Sequence, residues 1–443
     1  MSTTEPRTRT DDELREEVIA WMRANLPADW VAGIENDDAE ALARGREHLD
    51  QRDFLRRIGE AGWAMPTWEV EYSGGGLDEH QAAIVEEIKD QYRVPRSFNI
   101  LGFGLAAPTL RQWGTEEQKR FFLSGMAQGD WWCQLFSEPG NGSDIAGLST
   151  RAVRDGDEWV INGQKVWTSG AHVSKWGMLI ARTNPDQPKH KGITYFICDM
   201  EAPGVEVRPL VQITGDAEFN EVFLNDVRIP DAWRIGPEGE GWAVAQTTLL
   251  NERVALSGAF GGGAARRRRS SGGGSGQPGS SFPSDPKSRE VGAGMIGGGT
   301  VIEGLIREAK ADGRWDNDPV LRDRLVQLFI TGKVSAWNIQ RAAAQRRAGG
   351  QPGPEGSISK LFGTEFNMKV QILSADMMTG PMAWEKDDLA SAMRARAFLR
   401  SRGNSIEGGT SEIQRNIIGD RVLGLPREPD PYKGVAWKDV PRN

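Results

Sequence analysis

Two glutamates stand out by their surroundings. Glu407 lies in NSIEGGTSEIQRN (404–416), where a carboxylate, two glycines and a helix start fall together. Glu252 lies in LLNERVAL, and Trp242, Ala245, Leu249, Glu252 and Leu256 recur at steps of three and four residues. That spacing puts Glu252 on the apolar stripe of a helix. An ionised carboxylate there is costly unless it has a role or a partner, such as an arginine inside a helical bundle. A different chemistry is suggested by SEPGNGSD (137–144). Gly140 and Gly142 permit close backbone approach, and Ser137 and Ser143 offer neutral hydrogen bonds, so backbone N–H groups could cradle an anionic or ring-bearing cofactor. In INGQKVWTSGAH, Trp167 is followed at once by Thr168 and Ser169. An indole can cover one face of a flat ring while a hydroxyl reaches its polar edge. Taken alone, the first motif reads better as a common turn and the second as a strand with a packed tryptophan.

Three blocks of sequence must position these groups. Residues 1–130 carry helical periodicity, beginning with Leu14, Val18, Trp21 and Met22 and continuing through DEHQAAIVEEIKDQYRV and TEEQKRFFLSGMAQ. Residues 131–235 hold short β-rich runs, among them KWGMLIART, GITYFICDM and EVFLNDVRI, with Asp-Gly and Asn-Gly predicting hairpins. Helix returns over 236–443, interrupted by a Gly/Ser/Pro-rich stretch at about 261–299 that is too polar to fold alone and contains Arg266–Arg269. That tract reads as a solvated charge cluster in a mobile insertion. Near the end, Ser411 and Gln414 have the spacing of a capping box.

The bulk composition narrows the function classes. With 443 residues and a net charge of −8, the chain has room for about two or three domains and no overall basic footprint for nucleic acid. Cys133 and Cys198 form neither a disulfide framework nor a metal-ligand spacing, so no metal is expected. No stretch resembles a signal peptide or a membrane span, which makes a cytoplasmic location the expectation. The sixteen tryptophans read mainly as bulky core.

In this order and at this spacing, the motifs resemble the acyl-CoA dehydrogenase family. The likeness takes in APTLRQWGTEEQKRFFL, WWCQLFSEPGNGSD, ITGDAEFNEVFLNDVRIP and GEGWAVAQTTLLNER, and so runs along nearly the whole chain outside 261–299. It implies a mostly α, α+β fold: an N-terminal helical domain, a middle β-barrel-like domain and a C-terminal four-helix bundle. It also implies FAD between the β-domain and the C-terminal helices, commonly with a second subunit completing the site. Carried over by position, Gln134, Phe136 and Ser137 match the stretch along the flavin ring. Ser143 matches a serine near the pyrophosphate or the substrate. Trp167 and Ser169 match the tryptophan–hydroxyl pair beside the flavin, Gln371 matches a cofactor-side glutamine, and Thr410 matches an FAD contact.

The implied reaction removes hydrogen from Cα and Cβ of an acyl-CoA thioester to leave a trans-2-enoyl-CoA. It requires a carboxylate for the weakly acidic α-proton, hydrogen-bond donors for the developing enolate, and FAD for the hydride. Many relatives use the Glu of a Tyr-Glu-Gly-Thr stretch, but aligning on Thr410–Arg415 puts Gly408 there and leaves Glu407 one residue upstream. One residue is a step of about 3.8 Å, more than catalytic geometry tolerates. A second branch, resembling isovaleryl- and long-chain acyl-CoA dehydrogenases and actinobacterial members, carries Glu-Arg on the helix after the β-domain. LLNERVAL matches that pattern, which makes Glu252 the expected base and Glu407 the runner-up. Arg253 is either a helper near the substrate or half of a structural ion pair. Two family elements depart: no Arg-x-x-Phe-Gly follows the first helix, and VQILSADMMTG has Ser374-Ala375 in place of a glycine pair. The expected partners are an acyl-CoA, an electron-transfer flavoprotein and other subunits in a homo- or hetero-oligomer. A non-catalytic or half-site subunit and an acyl-CoA oxidase are the alternatives.

Overall fold

The computed structural model describes residues 9–95, 99, 101–261, 298–347, 353–378 and 389–441. Nearly all of the 261–299 stretch, with Arg266–Arg269, therefore lies outside the described residues. The chain separates into two compact units, Met1–Trp132 with Ser174–Trp176, and Cys133–Val173 with Gly177–Asn443.

The first unit is helical: α1 (Asp11–Asn25), α2 (Ala28–Glu35), α3 (Ala39–Glu47), α4 (Gln51–Glu60), α5 (Glu79–Gln91), α6 (Ala107–Trp113) and α7 (Glu116–Ala127). Thr10 and Glu13 close a reciprocal capping box at the start of α1, and Thr115 and Gln118 repeat it on α7. Leu14, Val18 and Met22 are fully buried at four-residue steps, joining Phe54, Ile58, Val85 and Ile88 in one apolar core.

The second unit opens with an eight-stranded sheet: β1 (Trp132–Leu135), β2 (Arg151–Asp155), β3 (Glu158–Ser169), β4 (Trp176–Arg182), β5 (Ile193–Asp199), β6 (Val205–Leu210), β7 (Phe219–Pro230) and β8 (Arg234–Ile235). The strand order is β6-β7-β3-β2-β4-β5-β8, with β1 paired to β4. Asp155-Gly156 makes the expected β2–β3 turn, Gly156 taking φ 63°. Asn162-Gly163 does not make a hairpin. It lies inside β3 at an irregularity opposite β7, where a Cβ on Gly163 would sit 2.4 Å from the Thr150 hydroxyl. The glycine is there for close packing and not for chain reversal.

The sheet is followed by α8 (Gly241–Gly261), α9 (Gly298–Ala311), α10 (Arg314–Asn317), α11 (Pro319–Arg347), α12 (Gly356–Asp376), α13 (Leu389–Asn404) and α14 (Ser411–Ile417). The start of α8 lies hard against β5, since a Cβ on Gly241 would fall within 2.5 Å of the Thr194 backbone. Its most buried line is Gly241, Val244, Ala245 and Thr248, one position round from the expected Trp242–Leu249 line, and Trp242 packs on His190 instead. Glu252 continues the observed line one turn beyond Thr248. α12 buries two lines: an apolar one of Phe366, Val370 and Leu373 packed with α9 and α11, and a polar one of Ser357, Lys360, Thr364, Asn367, Gln371 and Ser374, each at steps of three and four. Beyond α14 the chain returns to the sheet, where Trp437 Nε1 donates to the Gly147 carbonyl at 3.1 Å and the Arg182 guanidinium lies over the indole. Among the described residues no helix is long and apolar enough to cross a membrane.

Candidate active site

One corner of the site is built on a buried ion pair. Lys165 of β3 is fully buried, and its Nζ donates to Glu138 Oε1 at 2.9 Å and to the Phe136 carbonyl at 3.1 Å. The Glu138 carboxylate also accepts the backbone N–H groups of Ser149 (2.6 Å) and Thr150 (2.8 Å). Burial pushes the Glu138 carboxyl up, but the Lys165 charge and these donors outweigh it and hold the group below its ordinary value. The Val166 N–H adds a bond to the Ser137 carbonyl at 2.9 Å. The SEPGNGSD turn is thereby fixed to β3. A Cβ on Gly140 or Gly142 would meet nothing within 4 Å, and neither glycine has a left-handed φ. Nothing in the surrounding chain requires glycine at either position.

The strand then bulges between Lys165 and Thr168. Trp167 takes φ 60°, the left-handed region that side chains rarely adopt, and is 59% exposed. Thr168 behind it is fully buried with its hydroxyl unpartnered. The Trp167 ring meets Phe219 of β7 edge-on at 5.9 Å, and the Arg400 guanidinium of α13 lies 5.7 Å from the Phe219 centroid. Arg400 is paired with Glu218 (3.1 Å) and with Glu407 (2.9 Å), and Arg396, one turn earlier, with Asp216 (2.9 Å). Burial raises the Glu218 carboxyl, Arg400 opposes this, and the nearby charges of Glu407 and Asp216 add to the rise.

Both candidate carboxylates act electrostatically on Lys360. This lysine of α12 is fully buried and donates to the carbonyls of Gly409 (2.6 Å) and Asn404 (3.1 Å), bracketing the loop that carries Glu407. Burial lowers its pKa, while the charges of Glu407, Glu252 and Glu412 raise it, so both glutamates lie within electrostatic reach. Glu407 is held three ways, by two nitrogens of Arg400 and by Asn404 Nδ2 at 2.5 Å. Glu252 is half-buried on α8. A turn earlier on that helix, Thr248 Oγ1 lies 3.2 Å from the Tyr195 hydroxyl, and the Tyr195 ring stands against Phe136.

The other expected site residues fall as follows. Gln134 is half-buried on β1, Phe136 is buried with its ring in the core, and Ser137 and Ser169 are half-buried. Ser143 is exposed in the turn. Gln371 is buried and donates to Asn367, which donates to Asn404, which donates to Glu407: one relay from α12 to the loop. The side chain of Arg253 lies outside the described residues. The capping expectation needs correction by one residue. Thr410 is the N-cap of α14, accepting from Ile413 N, while Gln414 Nε2 reaches back to the Gly408 carbonyl at 2.8 Å. The shift follows from Gly408 and Gly409, whose φ values of 63° and 90° turn the chain immediately before the helix.

Lys360, Arg396, Arg400 and Asn404 are missing from the residues expected from sequence, although each carries a signal. Lys360 belongs to a polar series at core spacing on α12. Arg396, Arg400 and Asn404 recur every four residues, opposite Asp216 and Glu218, which stand two apart in an extended segment. Four residues of helix rise about 6 Å and two of strand about 6.6 Å, so the rows match.

Comparison with known proteins gives a consistent picture. Family models described as the N-terminal, middle and C-terminal domains of acyl-CoA dehydrogenase match residues 8–130, 133–227 and 295–423. The acyl-CoA dehydrogenase IpdE1 of Mycobacterium tuberculosis is 36% identical over 424 residues, covering 94% of this chain and 98% of that protein. The acyl-CoA dehydrogenase FadE34 of the same organism is 37% identical over 92% of this chain, which spans only 51% of FadE34. A solved structure described as the Tcur3481-Tcur3483 steroid ACAD superposes with a TM-score of 0.66 at 26% identity, covering 97% of this chain and 100% of that one.

Proposed function

The chain belongs to the acyl-CoA dehydrogenase family, a family of FAD-binding oxidoreductases, and on that premise we propose that Glu252 is the base that removes the α-proton of its acyl-CoA substrate. The observation that carries this reading is the place of Glu252 on α8, where it continues the buried line of Gly241, Val244, Ala245 and Thr248. Glu407 is bound to Arg400 and Asn404, and Glu252 lies half-buried on α8, one turn beyond Thr248. A carboxylate on the buried side of a helix is suited to take a proton from a weak carbon acid.

The residues on the β-domain fit FAD. The open glycines Gly140 and Gly142, the exposed Trp167 and the buried, unpartnered Thr168 hydroxyl are each otherwise unexplained. Trp167 would cover one face of the ring system, with Ser169, Gln134 and the backbone of Phe136 and Ser137 at its edge and Ser143 toward the pyrophosphate or the substrate. Gln371 and Thr410 would act from the C-terminal helices, and Arg253 beside the substrate. FAD, when bound, supplies the acceptor for the β-hydrogen at N5. The Glu407 N–H is taken by the Gly403 carbonyl at 2.9 Å, and the N–H groups of residues 408–410 are suited to steady the thioester oxygen as negative charge develops there.

The likeness to a steroid ACAD directs the substrate proposal to a bulky, polycyclic acyl-CoA. An electron-transfer flavoprotein is proposed as the acceptor, the cytoplasm as the location, and 1–130, 131–235 and 236–443 as the domains. A half-site role in a heteromer is the second reading. It is favoured by α12 running unbroken through buried Ser374, where relatives carry a glycine pair. Turnover of a panel of acyl-CoA thioesters by wild type, Glu252→Gln and Glu407→Gln tests the main reading. Near-normal turnover by Glu252→Gln would sink it, and protein that stays colourless with FAD supplied would favour the second.

A further inference from the structure

We infer that Glu407 is a positioning residue: with Arg400 it clamps Phe219 and so holds the Trp167 indole in place against the cofactor. This rests on the proposed reading of Trp167 as a flavin-side residue and Glu252 as the base.

The links are continuous. Glu407 takes two nitrogens of Arg400 and the Asn404 amide. Arg400, 13% exposed at its side chain, also binds Glu218, the residue immediately before Phe219. Its guanidinium is 5.7 Å from the Phe219 centroid, within the range of a cation–π contact. The Phe219 ring in turn meets Trp167 edge-on at 5.9 Å. Trp167 has little else to hold it, being exposed and in a left-handed backbone conformation that its own strand pairing does not favour. The Arg396–Asp216 pair keeps the 216–219 segment in register with α13 but does not reach Phe219.

Removing the Glu407 charge leaves Arg400 with one carboxylate in place of two and frees it to swing off Phe219. The base at Glu252 is untouched. The test is a double-mutant cycle on the FAD-loaded protein, with Glu407→Gln, Trp167→Phe and the pair, reading FAD dissociation by flavin fluorescence and turnover at saturating FAD. We expect Glu407→Gln to weaken FAD by roughly tenfold and to keep turnover within about tenfold of wild type once FAD saturates. The double variant should be weakened by clearly less than the product of the two single effects. Arg400→Lys, which keeps the charge but not the two-pronged contact, should resemble Glu407→Gln.

Independent effects, multiplying to within about twofold, would overturn the proposal. So would a Glu407→Gln variant with unchanged FAD affinity. If that variant also loses turnover by more than about a thousandfold, Glu407 is the base. A Trp167→Phe variant with unchanged FAD affinity would instead remove the flavin-side reading of Trp167 on which the inference stands. Where Glu407→Gln fails to fold, Arg400→Lys takes its place in the cycle, and the same coupling or independence with Trp167→Phe decides the matter.

Discussion

Glu252 and Glu407 are both within electrostatic reach of Lys360, but they are borne by different kinds of structure. Glu252 is borne by a helix whose register is fixed by the packing of Gly241 on β5 and of Thr248 on Tyr195. Glu407 sits in a turn set by two left-handed glycines, and its position comes from its hydrogen bonds to Arg400 and Asn404. A helix places a side chain by backbone geometry. The turn achieves placement by committing the polar end of the side chain to partners. The first arrangement suits a group that must exchange a proton, and the second a group that must hold something still.

The largest expected effect tests this contrast directly. Glu252→Gln should lower kcat by about 10²–10⁴-fold, while Glu407→Gln saturated with FAD stays within roughly tenfold. Steady-state assays on one substrate decide it. Next is Lys360→Met, which strands the Asn404 and Gly409 carbonyls at a cost of about 1–3 kcal/mol for each buried group. Urea unfolding should show the loss, and hydrogen exchange should rise first in 404–410 if the lysine brackets that turn. A smaller effect is expected for Gly409→Ala. Its Cβ would fall 2.6 Å from Gln414 Nε2 at φ 90°, a strain of about 1–2 kcal/mol measurable by thermal melting.

The smallest expected effect is one of pH. Burial raises the Glu218 carboxyl above its usual 4.5, so folding favours the protonated form. That contribution is complete below the usual value and is lost as pH rises through the raised one. Melting temperatures across this window should move in favour of Glu218→Gln as pH rises. A shift the other way would mean that Arg400 outweighs burial.

Much of the molecule is legible from residue types, and the misreadings have identifiable causes. The helix–sheet–helix order and the acyl-CoA dehydrogenase resemblance follow from periodicity and from motifs such as SEPGNGSD, and the observed fold agrees. The apolar line of α8 is displaced by one position because Trp242 finds its partner in His190, a contact no helical wheel contains. Asn162-Gly163 has the form of a hairpin turn, but its true constraint, the nearness of Thr150, is invisible until the strands are paired. Capping spacing cannot tell Ser411 from Thr410 until the two glycines before the helix have set the direction of the chain. The Arg396–Arg400–Asn404 row is present in plain sight, but a charged row on a helix ordinarily reads as solvent-facing. Only the matching Asp216–Glu218 pair gives it a partner.

The left-handed turn at Gly408 also bears on how such chains change over evolutionary time. Position 408 is where a carboxylate would have to appear for the base to move from α8 to the loop. At φ 63° a glutamate placed there by substitution begins with about 1–2 kcal/mol of backbone strain and no clamp of its own. A lineage starting from this sequence would need to shorten the turn before the new base could be of use, and to keep Glu252 until then. Removing one of the two glycines would bring Glu407 itself into that register, so a single deletion separates the two designs, and the shortened form would have to keep working with the helix-borne carboxylate until the loop settled.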